Sequence, residues 1–116
     1  MTQNDKSTQL EKQIQTVKLA LTALGPMRPG SLSKQYNVCG NPTCRCKDPV
    51  RPRKHGPYYQ LSYVHQGKHT TQFIRREQVP EVKRQLANYK RFRKLTDRWV
   101  TLAIQQTRLA LKQSKI

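Results

Sequence analysis

Cys39-Gly40-Asn41-Pro42-Thr43-Cys44-Arg45-Cys46, followed nine residues later by His55-Gly56-Pro57-Tyr58, is the stretch on which the fold turns. Three thiols within eight residues and one following imidazole make a three-cysteine, one-histidine donor set. Zinc accepts thiolate and imidazole together in a closed tetrahedron with no open position. Gly40 and Pro42 allow the tight turn that aims two thiols at one ion. The spacings are C-x4-C and C-x-C, not the repeated C-x2-C of a zinc ribbon, and His65 and His69 compete for the fourth place. His55 is preferred because it abuts the same loop and directly precedes the next expected element. Reduced cysteines without metal are the plain alternative. An odd cysteine count is a poor disulfide framework and suits a reducing compartment, where metal binding is the commoner use.

Working outward, residues 26–57 hold six of the seven prolines and all three cysteines, and no helical or strand period shows there. A free loop of about thirty residues is unusual in a small domain, so something must organise it. A bound metal does so, because its binding free energy is also folding free energy. Downstream, residues 58–74 read as a β-hairpin. Tyr58–Val64 and His69–Ile74 are aromatic and β-branched, Tyr59, Leu61 and Tyr63 alternate onto one face, and Gln66-Gly67 offers the turn.

Helices are expected on either side. Over 7–24, Thr8 and Glu11 have capping-box spacing, and Leu10, Ile14, Val17, Leu21 and Leu24 recur at steps of four and three. Gly25-Pro26 closes that segment. From Pro80 to about Gln113 the pattern is helical with no glycine or proline to break it. Placed at about 100° per residue, Lys83, Arg84, Lys90, Arg91, Lys94 and Arg98 share an arc of about 120°. Val82, Leu86, Tyr89, Phe92, Trp99, Val100 and Ala103 lie opposite and are assigned to packing on the 7–24 seam.

Charge names the class of partner. The 116 residues carry 23 Lys and Arg against six Asp and Glu, a net charge of +17. Self-repulsion on that scale works against a compact state, and a polyanion relieves it. The one-signed arc on the long helix, together with Arg51, Arg53 and Lys54 beside the cysteines, is read as a two-part phosphate contact surface; a merely solvated basic face is the plainer reading. Only 34% of residues are apolar, so the core is thin and a metal staple fits the chain's need. No stretch has the length of a membrane span, and the first residues lack the pattern of a secretory signal, so a cytoplasmic protein is expected. No nucleophile–base spacing and no phosphate-cradling glycine loop occurs, and a closed zinc site leaves no place for activated water. An enzyme is not expected.

Met27-Arg-Pro-Gly-Ser-Leu, Cys39-Gly-Asn-Pro-x-Cys44-x-Cys46, His55-Gly-Pro-Tyr-Tyr-x-Leu-Ser, Gly67-Lys68 and Asn88-Tyr89-x-Arg91-Phe92 resemble a family of short prokaryotic proteins catalogued as a domain of unknown function. The similarity spans about residues 27–112. Members of that family often sit near mobile elements. The resemblance implies a DNA-transaction context, and on that ground alone DNA is preferred to RNA.

The expectation is a single α+β domain. A helix at 7–24 and a long helix at 80–113 form an antiparallel helical hairpin, with a zinc-pinned loop and a β-hairpin between them. The zinc ligands are Cys39, Cys44, Cys46 and His55. The expected role is a non-enzymatic, nucleic-acid-binding accessory protein, with the alternative of an adaptor docking a larger DNA- or RNA-processing enzyme. Helix 7–24 is the expected surface for a protein partner or a second copy.

Overall fold

The computed structural model describes residues 3–113. Its elements are helix α1 (Gln3–Thr22), strands β1 (Ser31–Asn37), β2 (His55–His65) and β3 (Lys68–Ile74), and helix α2 (Val79–Gln113). Short 3-10 turns occupy Arg45–Lys47 and Arg76–Gln78. The fold is therefore α+β, with one three-stranded antiparallel sheet in the order β1-β2-β3. Two compact units form: α1 with α2 from Ala87 onward, and Arg28–Leu86.

In the sheet unit, β2 and β3 form the expected hairpin. Gln66 and Gly67 both take positive φ, 52° and 77°, as a two-residue turn matched to strand twist requires. His65 faces Lys68 across it. Alternation then sends Tyr59, Leu61 and Tyr63 to one side. Leu61 is fully buried, with Ile74, Val79 and Val82 around it and Leu32, Tyr59, Tyr63 and Leu86 at the margin. Burying a leucine this completely is worth about 2 kcal/mol.

The third strand corrects the sequence reading. Residues 26–57 showed no strand period, yet Ser31–Asn37 pairs with β2, Leu32 facing Leu61 and Asn37 facing His55. Its sequence, Ser-Leu-Ser-Lys-Gln-Tyr-Asn, buries little beyond Leu32, so it lacks the alternation by which strands are recognised. Backbone hydrogen bonds to an edge need no apolar side chain. Strand β2 likewise begins at His55, before the expected 58.

In the helical unit, α1 starts at Gln3 rather than 7, with Asp5 in its first turn, where a carboxylate opposes the helix dipole. Thr8 lies inside the helix, so it is not the cap that its spacing with Glu11 suggested. Leu10, Ile14 and Val17 are buried against Leu102 and Leu109, with Leu21, Leu95 and Trp99 packed alongside. Lys18 lays its ammonium 5.2 Å from the Trp99 ring centre. Glu11 accepts a hydrogen bond from Gln106 at 2.7 Å, and the Pro26 carbonyl accepts one from Asn88 at 2.9 Å.

These contacts redraw the apolar face assigned to α2. Asn88, Phe92, Leu95, Trp99, Leu102, Gln106 and Leu109 follow steps of four and three, the same cadence as Leu10, Ile14, Val17 and Leu21. None of the seven is exposed. Val100, assigned inward, is 58% exposed. Val82 and Leu86 pack in the sheet unit instead, so one helix contributes to two cores.

Candidate metal centre

Strand register builds the centre. Asn37 faces His55, so the chain leaving β1 reaches Cys39 two residues later, beside the first residue of β2. Asn41 then organises the return: its side-chain oxygen accepts the Thr43 N–H at 3.0 Å and hydroxyl at 2.8 Å, and its carbonyl accepts the Cys44 N–H at 3.2 Å. The 3-10 turn carries Cys46 inward. Asp48 closes it by accepting the N–H groups of Val50 at 2.8 Å and Arg51 at 3.2 Å, and Arg53 donates its N–H to the Arg45 carbonyl at 3.0 Å. Asn41 and Asp48 each precede a proline, and Asn-Pro and Asp-Pro are turn-forming pairs that signal these two turns in the sequence.

Cys39, Cys44, Cys46 and His55 converge, with their donor atoms within 4.8 Å of one another. Cys39 and Cys46 sulfurs are 3.6 Å apart, and the Cys44 sulfur lies 3.0 Å from His55 Nε2. Four ligands around an ion with metal–sulfur bonds of about 2.3 Å would be about 3.5–3.8 Å from one another. The Cys39–Cys46 pair is at that spacing and the Cys44–His55 pair is closer, so the set is compatible with one metal ion after a small adjustment. The Cys39 N–H also points at the Cys46 sulfur, at 3.3 Å. His65 and His69, the competing histidines, are exposed at the hairpin turn and take no part.

The environment treats the thiols unequally. Hydrogen bonding from the Cys46 backbone, then from the Cys39 and Cys46 side chains, pulls the Cys44 thiol down to about 6. Burial pushes the Cys46 thiol up, consistent with its being 3% exposed. Cys44 is thus a ready thiolate at neutral pH, while a cation bound here would have to displace the Cys46 proton.

Gly56 holds His55 in place. Its φ is +136°, and a Cβ there would sit 2.8 Å from the Gln35 carbonyl oxygen and 3.1 Å from the Tyr36 ring. Gly56→Ala should therefore part β1 from β2 beside the ligand. The expected cost is about 1–3 kcal/mol, lowering the melting temperature by several degrees and weakening metal retention. A variant melting with the parent would show that this close approach is not needed.

The cationic candidates fall in separate places. Arg51, Arg53 and Lys54 are exposed on the metal loop, and Lys83 and Arg84 are exposed on the part of α2 that belongs to the sheet unit. Arg84 pairs with Glu81. Lys90, Arg91, Lys94 and Arg98 are exposed on the part of α2 that belongs to the helical unit. No helix of the described residues is long and apolar enough to cross a membrane.

No curated protein and no solved structure matches the chain. A family does match, over residues 7–84, a span taking in most of α1, the whole sheet and all four converging donor residues. The chain belongs to the family defined by the domain of unknown function DUF6788.

Proposed function

We propose that this protein is a zinc-stabilised, non-enzymatic accessory protein that binds nucleic acid, DNA in preference to RNA, in transactions of mobile elements. The observation that carries the reading is the surplus of 17 positive charges, with most of the described Lys and Arg side chains exposed. Among the described residues the basic arc of α2 meets Glu81 through Arg84, while Lys90, Arg91 and Lys94 have no ion-pair partner. Zinc is favoured over other ions by the chemistry of the donor set, three thiolates and one imidazole brought together. With every position filled by protein, the ion would be structural. Helices α1 and α2 are read as an antiparallel hairpin, since Glu11 meets Gln106 and Pro26 meets Asn88. The α1 seam is occupied within the chain, which favours nucleic-acid binding over an adaptor docking through that seam.

Phosphate contacts release counterions, so affinity should fall steeply with salt. Replacing Lys90, Arg91 and Lys94 together by Gln removes three exposed cations and leaves the buried seam intact. Each contact on B-DNA is worth about 0.9 in the slope of log affinity against log salt, so the variant should lose up to about 2.7. Any sequence preference should survive, because phosphate contacts position and base contacts specify. An unchanged slope in a folded variant would make this face merely solvated.

A further inference from the structure

We propose that the open face of the β1-β2-β3 sheet is a stacking surface for unpaired bases of single-stranded nucleic acid; this rests on the nucleic-acid reading above and specifies its ligand.

The sheet has two unlike faces. Tyr59 and Leu61 turn toward the buried cluster with Val79 and Val82, so Tyr58, Gln60, Ser62 and Val64 turn away. Register adds Phe73 to that outer face through its pairing with Gln60. Phe73 is 63% exposed and Val64 60%. One exposed phenylalanine needs no explanation. Here, however, Phe73 lies 5.9 Å from the Tyr58 ring centre to centre, an aromatic pair on a face whose apolar side chains otherwise include only Val64 among the outward β2 residues. Gln35 and Gln60 bond to each other at 2.9 Å beside it, offering amide donors and acceptors of the kind that read base edges. From Tyr58 the surface continues into a shallow hollow shared with Asn37, Val38 and His55, at the metal centre.

Charge decides the occupant. Arg28–Leu86 alone carries twelve Lys and Arg against three Asp and Glu, a surplus of nine. That surplus repels a second copy of the chain and attracts a polyanion. Arg45, Arg51 and Arg53 line another hollow of this unit together with Asp48, so the same unit also presents clustered guanidinium groups. In a duplex the base faces are already stacked inside the helix and cannot reach an aromatic pair. Unpaired bases can, and stacking on aromatic side chains is tolerant of sequence.

The test uses the full chain, a single-stranded oligodeoxynucleotide containing 2-aminopurine, its oligoribonucleotide counterpart and the matching DNA duplex. Phe73→Ala should lower affinity for the single strands about tenfold and abolish quenching of the 2-aminopurine, with the salt slope and the duplex affinity unchanged. Phe73→Tyr, which keeps the ring, should restore both. Because Phe73 is exposed, both variants should melt with the parent. A Phe73→Ala protein that binds single strands as the parent does overturns the stacking surface. If the Lys90, Arg91 and Lys94 substitutions still reduce the salt slope in that case, the nucleic-acid reading stands without it. A parent that binds neither single strand nor duplex overturns both. A parent that sediments as a dimer, made monomeric by Phe73→Ala, gives the face to a second copy and also overturns the proposal.

Discussion

Cys44→Ser is expected to leave the protein without metal and with residues 39–54 open to protease. The parent, purified under reducing conditions, should carry about one zinc ion per chain. Cys44 sits 3.0 Å from His55 and is the thiol that its surroundings already favour as thiolate, so a serine removes the most willing ligand. Altering a group that merely supports a ligand costs about 10–100-fold in metal affinity, and losing a ligand should cost more. The free energy lost is folding free energy as well. Between β1 and β2 the chain has Cys46 as its one buried side chain, so little apolar packing remains to hold the loop. The sheet core around Leu61 is built from other residues, and hairpin β2-β3 should persist while the loop opens. Metal analysis with limited proteolysis reads both effects; a metal-free parent with a protected loop would refute the centre.

Acidity should act in the same direction. The Cys46 proton must leave on metal uptake, so affinity rises with pH. Below about 6 the Cys44 thiol is protonated too, and one further proton must be displaced, so affinity should fall more steeply there. In the metal-free chain, the depressed Cys44 value favours the folded state at high pH, a contribution lost as pH falls from the ordinary thiol range through about 6.

Ile14→Asp should have an effect of comparable size in the helical unit. Ile14 is 3% exposed, among Leu10, Val17, Leu102 and Leu109. A carboxylate there loses the isoleucine's burial among apolar side chains, and the nearest cation on the helix, Lys18, is already engaged at the Trp99 ring. The expected cost is about 4 kcal/mol or more, in the range reserved for unpaired buried charge. Leu19, two residues past Val17 on the same helix, is 69% exposed, and Leu19→Asp should change stability by no more than about 0.5 kcal/mol. Urea unfolding followed by circular dichroism distinguishes the two. Equal midpoints for parent and Ile14→Asp would mean that the seam contributes nothing to holding α1 against α2.

What could be read from the sequence was local. The cysteine spacing and the histidine nine residues on point to the four donors that the fold brings together, because they lie close along the chain. Gln66-Gly67 identifies the turn, since positive φ is a property of single residues. Leu10, Ile14, Val17 and Leu21 identify the α1 seam, because a regular cadence of apolar residues survives in one dimension.

Tertiary structure decided the rest. Strand β1 is an edge held by backbone hydrogen bonds, which no side-chain pattern records, and yet its register with His55 is what brings that imidazole to the cysteine loop. The α2 seam includes Asn88 and Gln106, polar residues satisfied by Pro26 and Glu11 from distant parts of the chain. A hydropathy pattern scores both as surface, so the apolar face was drawn through Val100 instead. Val82 and Leu86 could not be separated from that face by periodicity either, because only the sheet determines which core each end of α2 enters. Sequence sets which residues can bond; which of them meet is set by partners many residues away, and no period along the chain encodes that.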